Sequence, residues 1–222
     1  MPMRTRAAAL SVITLLALAA VTSLTGPAGA APATDVAPKA QQAKARQAKA
    51  VPPKFLAASQ LPPHPSSEWT AGPVTDGFPI ELAPCLGEDG VPAYDYRHRV
   101  FHTEPDTGAV QATVVTGSAA QGKALAALIN KRIRSCADRI EQSDPETGAE
   151  GRYYGSLPVE EGAQVHGLHT RASWGATDIH LLSVGRDGRT VTIVSWGQMG
   201  DFGNAPVAAF KKTTTKAVNR LY

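Results

Sequence analysis

From Ser118 to about Gln142, apolar side chains return every three or four positions, at Leu125, Leu128, Ile129, Ile133, Cys136 and Ile140. That spacing predicts one helix with a buried face, and Ser118 is a residue type that caps a helix start. Its other face carries Lys123, Lys131, Arg132, Arg134 and Arg139 against Asp138 and Glu141, a pattern that reads as solvated. A second helix is predicted at the end of the chain, with Asn204 as cap and Pro206 in the first turn, where its missing N–H costs nothing. Val207, Phe210, Val218 and Leu221 form its buried stripe.

The remaining apolar runs have the period and length of strands. Arg97 to Thr103 and Ala109 to Thr116 flank Glu104-Pro105-Asp106-Thr107-Gly108, whose Pro, Asp and Gly make a turn. After the long helix, 143–148 is another turn, and Arg152 to Leu157 and Gln164 to Trp174 are predicted strands. Ile179 to Val184 and Thr190 to Trp196 flank Arg186-Asp187-Gly188-Arg189, and Asp-Gly is a strong hairpin signal. Both of these last strands are apolar on both faces, so they are expected at the centre of a sheet covered by helices. Hairpins with two amphipathic helices predict an α+β fold, a mostly antiparallel sheet packed by two main helices. A doubly wound nucleotide-binding fold would alternate strands and helices throughout.

The first 53 residues follow neither pattern. Arg4 and Arg6 precede an apolar run from Ala7 to Val21, then Gly26-Pro27 and the small residues Ala28-Gly29-Ala30, which together predict a secretory signal over 1–30. The apolar run is shorter than the roughly 20 residues that cross a bilayer, so stable membrane insertion is not expected. An Ala/Pro/Lys/Gln-rich linker is expected over 31–53, since nothing there is large enough to bury. A single folded domain is expected over 54–222.

Charge divides along the same boundary. Lys39, Lys44, Arg46 and Lys49 against Asp35 give the linker +3 and the leader adds +2, which leaves −2 of the total +3 for Lys54 to Tyr222. The basic balance therefore belongs to the tail, which reads as a spacer with weak envelope contact as its further use. With 6% aromatic residues and a domain of slight negative charge, nucleic acid is not an expected partner. Cys85 and Cys136 are the only cysteines. Export places them where disulfides persist and one pair has one connectivity, so a bridge is predicted.

Catalytic signals are thin. The chain has no Gly-x-Ser-x-Gly elbow and no His-Glu-x-x-His helix. His98 and His102 share a strand face, as do Asp178 and His180, so a histidine metal site is conceivable if the sheet joins them; satisfied or exposed histidines are the plainer reading. His166 and His169 are expected on opposite faces of one strand. The run Gly197-Gln198-Met199-Gly200-Asp201-Phe202-Gly203-Asn204 lies between a strand and a helix but lacks phosphate-loop spacing and reads as a plain loop. Among Trp69, Trp174 and Trp196, the last two close predicted strands. Together with Gln198 they mark one sheet end as the candidate ligand site, Trp174, Trp196 and Gln198, where aromatic walls suit an apolar or sugar ligand.

The Phe55-Leu56…Leu61-Pro62 start followed by Trp69, the helix around Ser135-Cys136, and Arg186-Asp187-Gly188…Val191-Thr192-Ile193-Val194 before a closing helix resemble PknH-type extracellular sensor domains of actinobacteria. The resemblance spans about Phe55 to Tyr222. It implies a mixed sheet with helices on its faces, forming a ligand-binding cleft outside the cell. Kinase-linked members carry a transmembrane helix, an intracellular kinase and a second disulfide, which this sequence lacks, so the resemblance implies a sensing domain used without a kinase. Two functions follow as expectations. One is a secreted, non-catalytic, sensor-like domain without catalytic residues, cofactor or metal, binding a small molecule, lipid, sugar or peptide. The other is an exported hydrolase or envelope-modifying enzyme assembled only in the fold, with His98, His102 and His180 the residues to inspect.

Overall fold

The computed structural model describes residues 51–87, 91–104 and 106–222. The expected leader and all but the last three residues of the expected linker lie outside them. Seven strands form one sheet: β1 (Thr70–Asp76), β2 (Arg97–His102), β3 (Gly108–Val115), β4 (Thr147–Leu157), β5 (Ala163–Ala172), β6 (Thr177–Asp187) and β7 (Thr190–Met199). Their spatial order is β1-β2-β3-β7-β6-β5-β4, and every neighbouring pair is antiparallel. The α+β expectation holds, whereas the mixed sheet implied by the family resemblance does not. Two meanders, β1-β2-β3 and β4-β5-β6-β7, join where β7 pairs with β3, with Ala109 opposite Trp196 and Ala112 opposite Ile193.

That junction makes β7 and β6 central, as their two-sided apolar character requires. One face carries α1 (Ala83–Leu86), α2 (Ala119–Arg134) and α3 (Cys136–Ser143), over a core of Val110, Ala112, Leu182, Val184, Val191 and Ile193. The other face carries α4 (Val207–Asn219) and the segment through Leu56 and Leu61, over Phe101, Val165, Leu181, Val194 and Trp196. No helix among the described residues is long and apolar enough to cross a membrane.

Local signals hold at several points. The Ser118 hydroxyl accepts from Gln121 N at 3.2 Å, capping α2. Gly188 has φ 55°, the left-handed conformation that closes the β6–β7 hairpin. Cys85 and Cys136 are bridged, tying α1 to α3.

Elsewhere the structure corrects the expectation. The helix predicted from Ser118 to about Gln142 is two helices, broken at Ser135. Asn204 does not cap α4: its side chain accepts from Asp201 N at 3.0 Å, closing the preceding loop, and Pro206 stands at the cap position instead. β5 stops at Ala172, where Ala172 N donates to Ala176 O at 2.9 Å, so Trp174 lies in a turn and does not close a strand. β7 runs on to Met199, which puts Trp196 within the strand. β4 starts at Thr147, inside the predicted turn, because residues 147–151 pair with 168–172 of β5, and the strand carries a β-bulge between Tyr153 and Gly155.

Candidate ligand-binding site

The turn between β5 and β6 and the end of β7 do meet at one end of the sheet, where Asp178 pairs with Met199 and Gly200 N donates to Thr177 O at 2.9 Å. The three expected site residues nevertheless separate. Trp174 is 80% exposed in its turn, while Trp196 is 3% exposed and faces α4. Trp196 and Gln198 come together with Trp69, His64 and Asn204 around a concavity of about 280 Å³ on the α4 side of the sheet, and Trp174 is not among its lining residues.

A more apolar cavity of about 320 Å³ opens at the same sheet end on the opposite face, beyond the part covered by α1–α3. Side chains alternate along a strand, so the register decides what it contains. One cross-sheet row reads His102, Gly108, Gly197, His180 on β2, β3, β7 and β6. The next reads Val100, Val110, Ser195, Leu182 on the same strands. Two adjacent glycines thus sit where side chains would otherwise fill the space. A Cβ built at Gly108 meets nothing within 4 Å. At Gly197 a Cβ would stand 2.4 Å from His180 Nδ1, so the imidazole lies flat across the β7 backbone only because residue 197 is glycine.

The floor is therefore Val100, Val110 and the Gly108 backbone, with the His180 ring over Gly197 and Met199 among the other lining residues. Glu81, Asp106 and Asp178 stand around it, and no lysine or arginine lines it. Burial holds the His180 imidazole below its ordinary pKa, with Asp178 working in the opposite direction. The ring is thus predominantly neutral at neutral pH. Ser195 is 8% exposed and lies between Val110 and Leu182, and no described residue hydrogen-bonds its hydroxyl.

The other histidines go elsewhere. His98 lies at the far end of β2, with Nδ1 2.9 Å from Gly77 O. His102 shares the row of His180 but stands three strands away, roughly 14 Å at ordinary strand spacing, and does not line the cavity. His166 and His169 do point to opposite faces: His166 Nε2 is 2.9 Å from Asn130 Oδ1 on α2, whereas His169 packs against Phe202 on the α4 side. Among the described residues no three of His, Cys, Asp and Glu form a group able to hold a metal ion.

Of the residues around this cavity, the sequence singles out Gln198, Asp178 and His180 but not Gly108, Ser195 or Glu81. Nothing in their local patterns marks them. Only the pairing of β3 with β7, remote in sequence, puts Gly108 beside Gly197, and only the short α1 region brings Glu81 over the sheet.

No family model matches this sequence, and no curated protein matches it. The fold is similar to the crystal structure of the extracellular domain of PknH from Mycobacterium tuberculosis, with 15% sequence identity and a TM-score of 0.41, over 74% of this chain and 97% of that chain.

Proposed function

We propose that this protein is an exported, non-catalytic, sensor-like domain that holds a small ligand in the cavity over Gly108, beside the His180 ring. The observation that carries the reading is the open space over Gly108, where a Cβ would meet nothing within 4 Å, beside the His180 ring seated on Gly197; together they leave a preformed concavity floored by Val100 and Val110. Ligand sites are typically concave and mostly apolar, with a few polar groups fixing orientation. His180 and Ser195 supply those groups here. Export is supported by the Cys85–Cys136 bridge, which belongs to an oxidising compartment.

A hydrolase reading has one favourable observation: Asp178, His180 and Ser195 line a single cavity. It is the weaker reading because, among the described residues, no hydrogen bond links Ser195 to His180 or His180 to Asp178. A nucleophile needs its base within hydrogen-bond reach and the base needs an orienting group. Nor do two of His98, His102 and His180 converge there.

Native mass spectrometry of protein recovered from the medium of its own host, as wild type and as Gly108→Leu, tests the proposal. The leucine enters open space without a backbone conflict, so the fold is expected to persist by circular dichroism. The expected result is a bound small molecule on the wild type that Gly108→Leu loses. A ligand retained by the folded Gly108→Leu variant would place the site elsewhere, with the Trp69, Trp196 and Gln198 concavity next in line. Turnover of an ester or amide that is lost in both Ser195→Ala and His180→Gln would assign the protein to the hydrolases.

A further inference from the structure

Three carboxylates, an apolar floor and a hydroxyl meet in the cavity, and their combination narrows the chemistry of what fits. Glu81 comes from the turn before α1, Asp106 from the β2–β3 turn and Asp178 from the start of β6. Among the described residues none of the three is in an ion pair or hydrogen bond. Three unpaired carboxylates around one opening set a negative potential over it, and low-dielectric walls of valine and methionine focus that potential.

Ser195 is an independent pointer to a ligand. The Ser195 residue is 8% exposed between Val110 and Leu182, yet its hydroxyl is not sealed in the core and stays accessible from the cavity. Here its strand position turns it toward the cavity, and no protein group answers it among the described residues. A bound molecule with a donor or acceptor at that depth would satisfy it.

We infer that the cavity takes a small organic cation, an amine with an apolar body: the body lies on Val100, Val110 and Gly108 against the His180 ring, the ammonium sits among Glu81, Asp106 and Asp178, and Ser195 hydrogen-bonds the ligand at the floor. This rests on the cavity being the ligand site and specifies the ligand class. The neutral His180 ring forms a wall without adding positive charge, and it offers an apolar face to the ligand body. An anionic ligand of the same shape would meet three like charges. A neutral one would leave the carboxylates without a cation.

The test uses three probes of one shape: 2-phenylethylamine, 2-phenylethanol and 3-phenylpropanoate. Binding is followed by isothermal titration and by amide shifts of Gly108, Gly197 and Met199 in the full secreted protein. The amine is expected to bind at least tenfold more tightly than the alcohol, with no detectable binding of the carboxylate. Gly108→Leu should abolish amine binding. Glu81→Gln combined with Asp178→Asn should bring the amine to the level of the alcohol, and Ser195→Ala should weaken the amine and the alcohol alike. Added salt should weaken the amine alone, since partly exposed charges are screened. If the alcohol or the carboxylate binds as well as the amine and Gly108→Leu removes it, the cation inference is overturned while the cavity stands as a binding site. If none of the three moves the cavity amides, or Gly108→Leu leaves amine binding intact, the inference falls together with the site it rests on.

Discussion

His166 shows how one side chain couples this fold to pH. It is 2% exposed, and its Nε2 lies 2.9 Å from Asn130 Oδ1. Asn130 spends its own amide N–H on Ala126 O at 2.9 Å, so its Oδ1 faces the ring and the imidazole Nε2 is the donor. Burial, with Arg134 adding to it, pushes the pKa down to about 4. In the unfolded chain the ordinary value of about 6.5 applies. Between those values the unfolded state takes up a proton that the folded state refuses. The stability from this group is therefore complete above about pH 6.5 and is lost as pH falls toward 4, at up to about 1.4 kcal/mol per pH unit. Urea unfolding between pH 7.5 and 4.5 should show the wild-type midpoint dropping more steeply than that of His166→Gln, which keeps a donor toward Asn130. His180 shifts in the same direction but is present in both proteins, so it cancels in the difference. Parallel slopes would remove His166 from the account. At this scale the sequence was partly readable: strand alternation placed His166 and His169 on opposite faces, but it could not show that Asn130, 36 positions away, waits under one of them.

Among elements, the break at Ser135 and the close seat of α4 mark where helix periodicity ceases to be informative. Ile133, Cys136 and Ile140 keep helical spacing through the break, so the hydrophobic pattern has no means of registering it. Arg139 gathers carbonyls at the break: its guanidinium donates to Ser135 O and Arg132 O, each at 3.0 Å, and to Cys85 O. An arginine read from sequence as part of a solvated face is thus a clamp between α2, α3 and α1. The disulfide fastens the same junction over a separation of 51 residues. Cys136→Ser should cost about 2–5 kcal/mol and lower the melting temperature by several degrees or more; a melting temperature within one degree of wild type would show that Arg139 suffices. On the other face, a Cβ at Gly185 would stand 2.3 Å from Val218 Cγ2 and 3.1 Å from Ala163 Cβ, so α4 reaches β6 only because residue 185 is glycine. Gly185→Ala should destabilise by about 1–3 kcal/mol through this overpacking. Gly185→Ala combined with Val218→Ala should recover part of that loss in equilibrium unfolding, and simple additivity of the two would refute the contact.

Taken as a whole, the molecule is one sheet with two unlike coverings, and this is why the fold class was legible while the site was not. Two meanders follow from local turn signals and alternation; their junction at β3 and β7 depends on side chains about 80 positions apart, and the cavity exists only at that junction. The α4 face is completed by the segment through Leu56 and Leu61, at the start of the expected domain. Leu56 is fully buried there; its N–H donates to Gln111 Oε1 at 2.7 Å and its carbonyl accepts from Arg99 NH1 at 3.2 Å. Gln111 is itself fully buried and passes its amide N–H to Thr192 Oγ1 at 3.1 Å, so the segment is bonded through the centre of the sheet. Leu56→Ala should therefore behave as a core truncation, costing about 2–5 kcal/mol, and Gln111→Leu should be destabilising despite its greater hydrophobicity because it orphans Leu56 N. The ligand cavity lies on the other face, so at temperatures where Leu56→Ala remains folded its affinity for 2-phenylethylamine should equal that of wild type. Denaturant melts of the two variants, paired with one titration below the transition, separate the possibilities: a change under about 0.5 kcal/mol, the ordinary range for surface positions, would show that the segment merely rests on the sheet, and lost affinity in a folded Leu56→Ala variant would show that the two faces do not act independently.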